Sequence, residues 1–459
     1  MTAFTRRDIE LPQGTISVRE AGSGPRTIVF VHGALVDGRL WDGVAERLAG
    51  MARCVLPDLP LGSHRTPMRP DADLTPPGVA QIVADLLEAL GVGDATLVGS
   101  DTGGAVCQLV ITSRPERVGR VVLTNCDAFE HFPPGLFKGM VLGSRLPGGT
   151  RGLAESMRIG PVRRGIFGLL TERPVDDALL REWALQPAKD AGIRRDFQKL
   201  VRSVDPKFTL DAAAKLGTFP GPALLVWGDA DRFFQIEDAR RLTAAFRDAT
   251  LVIVPGGKTF VSLDHPETVA EAISAFLAAP AAAMLAWLGV EQIRDGHPTS
   301  LGAASGIVAG LVAITPAAGS VSPLGAVAIG VLAGIACAFA INLKNRLGYD
   351  DSLDVVGVHL VGGMLGTLAI GLFADPASPA GVAGLLYGGG VDQLWRQAVG
   401  AFSVLFYSFA VTWLIGTAIN KTMGFRVSRV AENNGIDLAE HTEVGYDLSP
   451  VYYSSFNGV

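Results

Sequence analysis

Four long apolar runs, at about 300–319, 323–342, 354–374 and 397–419, are separated by short polar loops. Each approaches the roughly 20 apolar residues that a helix needs to cross about 30 Å of hydrocarbon. The pattern predicts an all-α membrane domain over 300–424, followed by a tail at 425–459. Residues 1–278 instead alternate short β-branched runs with helical periods, which predicts a mostly parallel sheet covered by helices on both faces. Strands are expected at 27–33, 52–59, 95–100, 119–125, 222–229 and 249–257. Between about 132 and 206 the alternation breaks into Gly-, Arg- and Pro-rich sequence with helical stretches, as a cap inserted over the sheet would.

The segment 266–279 places Val269, Ile273, Phe276 and Leu277 at helical spacing, as an amphipathic helix closing the sheet should. It runs straight into the apolar stretch 280–290. A helix that packs one face on a sheet cannot give every face to lipid. The 11 or so residues left beyond the closing helix, at about 1.5 Å each, are too few to cross a bilayer. The interval 279–299 is therefore expected to be a junction holding a truncated helix. A fifth span at 272–290 would be the alternative, and would move the first domain across the membrane.

Charge orients the spans. Lys344 and Arg346 lie in one loop and Lys421, Arg426 and Arg429 follow the last run, whereas 375–396 holds Arg396 against Asp375 and Asp392. With four spans the two basic segments fall on one side, the cytoplasmic one. The N-terminus carries no apolar core of the kind a secretory signal needs. The expectation is a multi-pass protein of the cell membrane with its first domain and its tail in the cytoplasm.

A formal net charge of −6 gives no general basic face and argues against nucleic acid as a partner. Cys54, Cys107, Cys126 and Cys337 lack CxxC or zinc spacing and read as small buried hydrophobes, so neither a metal site nor a disulfide framework is expected. No cofactor is expected either.

The chemistry of the first domain centres on Gly99-Ser100-Asp101-Thr102-Gly103-Gly104, which follows a strand and opens a helix. Glycines permit the tight reversal that exposes a nucleophile, and the nucleophile position holds Asp101. His32-Gly33-Ala34 ends another strand, where backbone N–H groups together with those of Thr102 and Gly103 can form an oxyanion hole; Asp231 follows the strand ending at Trp227-Gly228. Together these motifs resemble the α/β-hydrolase family over about 270 residues. The fold implied is an α/β-hydrolase with a helical cap.

An aspartate nucleophile is similar to the branch containing haloalkane dehalogenases and epoxide hydrolases, where a carboxylate forms an ester that activated water then cleaves. The resemblance implies Asp101 as nucleophile, Asp231 as the acid of the triad, and an ester, epoxide or carbon–halogen bond as substrate. It also implies a base histidine, and that position holds Thr259. Threonine accepts no proton near neutral pH, so turnover should be slow. His265, six residues on, is either an unorthodox base or a surface residue beside the closing helix. Thr102 stands where those enzymes usually have Trp, which removes a halide-stabilising group.

The second half, through LGAASGIVAGLVAITPAAGSVSPLGA, LKNRLGYDDSLDVVGVHLVGGMLGTLAIGLFA and KTMGFRVSRVAENNGIDLAEHTEVGYDL, resembles the C-terminal part of ammonium transporters over about 160 residues. The resemblance implies ammonium or ammonia as substrate and the lipid bilayer as surroundings. It makes His359 one of the two stacked histidines lining the pore; an ionisable ring at that depth is costly unless it faces a cavity or partner. Asp354 matches a family aspartate near the start of its span, where an acid at a helix N-terminus is favourable.

The family builds its pore from two inverted repeats of five helices, and this chain carries only the later part of the second repeat and the final helix. The expected membrane domain is thus four to five helices of an incomplete ammonium-transporter fold. Assembly with a full-length ammonium transporter would supply the missing helices; a homotrimer would not, because in the family each protomer has its own pore. The junction falls inside a helix without a Gly/Ser- or Pro-rich linker. Three readings result: a transporter-type membrane protein with a fused hydrolase domain, a membrane-tethered hydrolase, and a chimera joining two unrelated proteins by deletion or misassembly.

Overall fold

The computed structural model describes residues 4–424 and 426–441. The tail expected at 425–459 and the end of the transporter-like segment at Leu448 therefore lie in part outside the described residues. The sheet has eight strands in the order β1-β2-β4-β3-β5-β6-β7-β8. Six of them, β3 (Arg26–Val31), β4 (Ala52–Pro57), β5 (Ala95–Asp101), β6 (Val118–Cys126), β7 (Ala223–Gly228) and β8 (Ala249–Val254), are mutually parallel and coincide with the six expected runs. Four of these strands are apolar and buried almost throughout, as strands covered on both faces must be.

Two further strands, β1 (Thr5–Leu11) and β2 (Gly14–Ala21), form an antiparallel hairpin at the sheet edge. Sequence patterning does not reveal β1, because its run Thr-Arg-Arg-Asp faces solvent on both sides and carries no apolar alternation. Charged residues on an edge strand discourage pairing with another chain.

At the carboxyl end of β5 the chain turns abruptly into helix α1 (Thr102–Ser113). A run of helices between Gly135 and Ala213 forms the cap, about where it is expected.

Beyond β8 the structure departs from the sequence reading. Helix α2 is one continuous element, Pro266–Arg294, with Pro280 inside it. Its first half closes the sheet, burying Val269, Ile273, Phe276 and Leu277, with the Arg26 guanidinium donating to the Leu277 carbonyl. Its second half packs into a bundle with α3 (Ser300–Ile314), α4 (Pro323–Ala340) and α5 (Val361–Phe373). The closing helix and the apolar stretch after it are thus one helix of 29 residues, half of its most apolar window enclosed by protein. Helix α3 in turn stops at Ile314, five residues before the apolar run ends, where Thr315-Pro316 follows. Proline lacks the N–H that would continue the ladder. At about 22 Å, α3 is shorter than the hydrocarbon it was expected to cross. Helix α6 (Asp392–Thr422) is 31 residues long and has no buried residue.

Glycine lets the bundle helices touch backbone to backbone. A Cβ on Gly330 or Gly334 of α4 would run into the carbonyls of Ala279 and Ala283, and one on Gly310 of α3 would lie 2.6 Å from the Pro280 Cα. This is the small-residue packing that helices use in lipid, where no hydrophobic force drives them together.

The bundle also lies along the sheet. Ala317, Val321, Ile329 and Ala369 belong to the same apolar core as the strands. Gly319, between α3 and α4, sits against Val252 of β8, and a Cβ there would be 3.6 Å from the Val252 Cβ. Further along α2, Arg294 donates to the Ala338 carbonyl over 2.9 Å. From Pro280 to Arg294 only about 22 Å of α2 extends clear of the sheet.

Candidate functional site around Asp101

Asp101 has φ 53° and ψ −132°, a conformation that costs a non-glycine residue of order 1–3 kcal/mol. The surrounding packing enforces it. Gly103 lies so close to the Val31 and His32 carbonyls that a Cβ would overlap them, and Gly33 leaves the space that the Asp101 carboxylate fills. The turn therefore holds the carboxylate against the loop after β3, where the Ala34 N–H donates to Oδ2 over 3.0 Å. The Thr102 N–H also favours the charged carboxylate. Of the expected oxyanion group, Ala34 and Thr102 act as donors, whereas Gly33 and Gly103 serve close approach.

Asp101 lines a cavity of about 270 Å³ roofed by the cap, with Phe132, Phe137, Met157, Phe167 and Leu170 among its walls. Burial pushes its pKa up to about 7, opposed by the Ala34 and Thr102 amides and reinforced by Asp231. A second carboxylate, Asp127, follows β6 and lines the same cavity. Its Oδ2 accepts from the Thr102 hydroxyl over 3.2 Å, and its own N–H donates to the Asp101 carbonyl over 3.3 Å. Burial and the neighbouring Asp101 raise its pKa well above the usual carboxylate range. Sequence reasoning missed Asp127. An acid just past a strand end beside the nucleophile turn was the available signal.

Asp231 is held by Asn125 Nδ2 at 2.9 Å and by the N–H groups of Phe233 and Phe234 at 2.8 and 3.2 Å. Thr259 is completely buried and close enough to Asp231 to favour its charge, yet its hydroxyl makes no well-formed hydrogen bond among the described residues. Its carbonyl accepts from Ser100 Oγ over 3.4 Å. The base position is thus filled by a group that transfers no proton.

His265 does not line the cavity. Its Nε2 lies 2.7 Å from Glu172 at a partly exposed position ahead of α2, which is the surface alternative for this residue. His32 is fully buried between the Gly33 carbonyl, at 2.8 Å, and the Leu59 N–H, which donates to Nε2 over 2.8 Å. Burial lowers its pKa, so it is a neutral structural ring.

The model of the alpha/beta hydrolase family matches residues 28–272, more than half of the chain. The chain belongs to the alpha/beta hydrolase family. Solved structures similar to this α/β-hydrolase include an epoxide hydrolase (18% identity, TM-score 0.52, covering 60% of this chain and 99% of that one). A haloalkane dehalogenase from Bradyrhizobium elkani (19%, 0.51, 60% and 96%) and an alpha/beta hydrolase fold protein from Burkholderia ambifaria (21%, 0.51, 60% and 99%) are also similar. At these identities the likeness is one of fold.

The model of the Ammonium Transporter Family matches residues 260–446. An ammonium transporter of Mycobacterium tuberculosis is 59% identical over 177 residues, 37% of either chain. That of Corynebacterium glutamicum is 47% identical over 173 residues, 38% of either, and that of Bacillus subtilis 41% over 173, covering 37% of this chain and 43% of that one. The hydrolase chain thus spans well under half the length of these curated relatives. The two family matches overlap at 260–272, where α2 begins.

In the transporter-like segment, His359 lies on a single π-helical turn, Val355–Leu360, just before α5, and is exposed. It makes no hydrogen bond among the described residues, but it is near enough to Asp248 of the sheet domain to ease the upward shift that burial imposes on that carboxyl. Asp354, at the N-cap position with φ 55°, accepts no capping hydrogen bond through its side chain; its Oδ1 accepts from Lys344 Nζ over 2.6 Å. Asp351 takes the amides instead, accepting from Val355 and Val356 at 2.7 and 3.0 Å. Asp354 therefore favours the helix terminus less directly than its position suggests.

The raised Asp101 pKa has a stability consequence. Between about pH 4 and 7 the folded chain keeps a proton that the unfolded chain has lost, so stability falls as pH rises through this window. Asp101→Asn removes the buried charge. Its thermal midpoint, followed by tryptophan fluorescence, should exceed that of the wild type by several degrees at pH 8, with the gap shrinking or reversing at pH 5.

Proposed function

We propose that this chain is a membrane protein of the ammonium-transporter type, handling ammonium or ammonia, with an α/β-hydrolase domain fused to it. We propose further that its transporter-like helices form only part of a pore. The observation that carries this reading is His359, on an irregular turn and left exposed by the described residues. Backbone irregularity and an ionisable ring at membrane depth are tolerated where they face protein or a water-filled cavity. A full-length ammonium transporter is the partner whose helices would complete such a cavity. The surroundings proposed are the cell membrane, with the overlap of the family matches on α2 and the 59% identity to a transporter supporting the assignment.

A second reading, a membrane-tethered hydrolase, is favoured by one specific observation: Asp101 is held at the strained turn with the Ala34 amide already on its carboxylate. That geometry suits attack by a carboxylate on an ester, epoxide or carbon–halogen bond, with Thr259 leaving the resulting ester slow to hydrolyse. The partners of His265 and His32, Glu172 for the one and the Gly33 carbonyl and Leu59 amide for the other, support a reading without a histidine base.

Purified protein reconstituted in proteoliposomes with an internal pH dye should give no response to an ammonium gradient above that of empty vesicles. A response abolished by His359→Ala would show that the chain conducts by itself. For the second reading, incubation with a reactive epoxide or haloalkane should leave a covalent adduct visible by intact mass and absent in Asp101→Asn. Rapid multiple turnover by the wild type would show that a base operates despite Thr259.

A further inference from the structure

The cavity in front of Asp101 has a polarity that an ester, epoxide or haloalkane does not explain. Its walls are almost entirely aliphatic and aromatic, and the charged groups among the residues lining it are the two carboxylates, Asp101 and Asp127. Among the described residues neither forms an ion pair with Arg, Lys or His. Asp127 is 2% exposed, and while its Oδ2 accepts from Thr102, its Oδ1 is buried with no hydrogen-bond partner. A buried carboxylate oxygen left unpaired costs on the order of 1–3 kcal/mol or more, and evolved interiors supply a partner. Asp101 and Asp127 are moreover fixed side by side by the backbone hydrogen bond between them.

We propose that this cavity binds a hydrophobic primary amine in its protonated form, the ammonium group lying between Asp101 and Asp127 and the hydrocarbon lying against the apolar cap. An alkylammonium carries three N–H donors and a positive charge, which match two adjacent carboxyl groups once each releases to solvent any proton that burial holds on it. The cap walls bury the hydrocarbon, so the bare ammonium ion, with nothing to place there, binds more weakly. Anions are repelled, and neutral alcohols satisfy hydrogen bonding without offsetting the two carboxylates. The cavity volume of about 270 Å³, just below the roughly 300–1,000 Å³ of most small-molecule sites, suits a single-ring or short-chain ligand. The proposal requires neither ester formation at Asp101 nor transport through His359, so it stands or falls separately from both readings above.

The test uses the full chain purified in detergent, titrated calorimetrically with benzylamine and with the near-isosteric benzyl alcohol. Benzylamine should bind at least tenfold more tightly, with ammonium chloride a weak competitor. Asp127→Asn should weaken the amine at least tenfold while changing the alcohol little. Equal affinity of amine and alcohol, absence of binding by either, or an Asp127→Asn protein that retains full amine affinity would overturn the proposal. The comparison of the two ligands on the wild type decides the matter even if the variant fails to fold.

Discussion

Everything in this structure hangs on helix α2, which must satisfy two sets of neighbours along one continuous ladder of hydrogen bonds. From Pro266 to Ala279 it is the closing helix of the sheet; from Pro280 to Arg294 it is the central packing surface for α3 and α4. An unbroken helix keeps its backbone groups paired whether water, protein or lipid surrounds it. Pro280, which would weaken an isolated helix, faces the Gly310 surface of α3 where the backbones meet most closely. The outcome is an apolar core that passes from β-strands to the near part of the bundle with no linker, while Trp287, Val290, Ala309 and Cys337 form a second cluster further along the bundle. The cost is reach, since the part of α2 clear of the sheet is shorter than a bilayer is thick.

The same economy of space governs the site. Asp101 occupies its strained conformation because the strand-to-helix turn, the missing side chains at Gly33 and Gly103, and the Ala34 amide all require it. The turn then brings Asp101 next to Asp127 beneath an apolar cap, and burial without a counter-charge raises the pKa of both. The cavity is thus an electrostatic feature as much as a shape: it holds two carboxyl groups whose charged forms are disfavoured by their own desolvation.

Much of this was legible in the chain because strongly periodic apolar segments report their own surroundings. The six parallel strands were found within a few residues, since strands covered on both faces are nearly continuous runs of β-branched residues. The turn at Asp101 was legible from its glycines, and Thr259 from its spacing to Pro266. Hydropathy failed where tertiary packing decides: it carried α3 past Thr315-Pro316 and ended the apolar stretch of α2 short of Arg294, although the continuity of the closing helix with that stretch was visible in the chain. Polar contacts were the least legible. Asp127 stood outside any motif, Asp351 rather than Asp354 takes the helix amides, and His265 turned towards Glu172, all through contacts that only the folded chain assembles.

The union of sheet and bundle into one core can be tested where they meet, at Val252 and Gly319. The distance of 3.6 Å from a Gly319 Cβ to that of Val252 lies within the range that a disulfide spans. The full chain carrying Val252→Cys and Gly319→Cys, oxidised mildly in native membranes, should form the cross-link in most molecules, read by intact mass before and after reduction; the four native cysteines are all buried. A pair that stays reduced under conditions where both thiols react with a small alkylating agent would mean that the bundle stands apart from the sheet, contradicting the shared core.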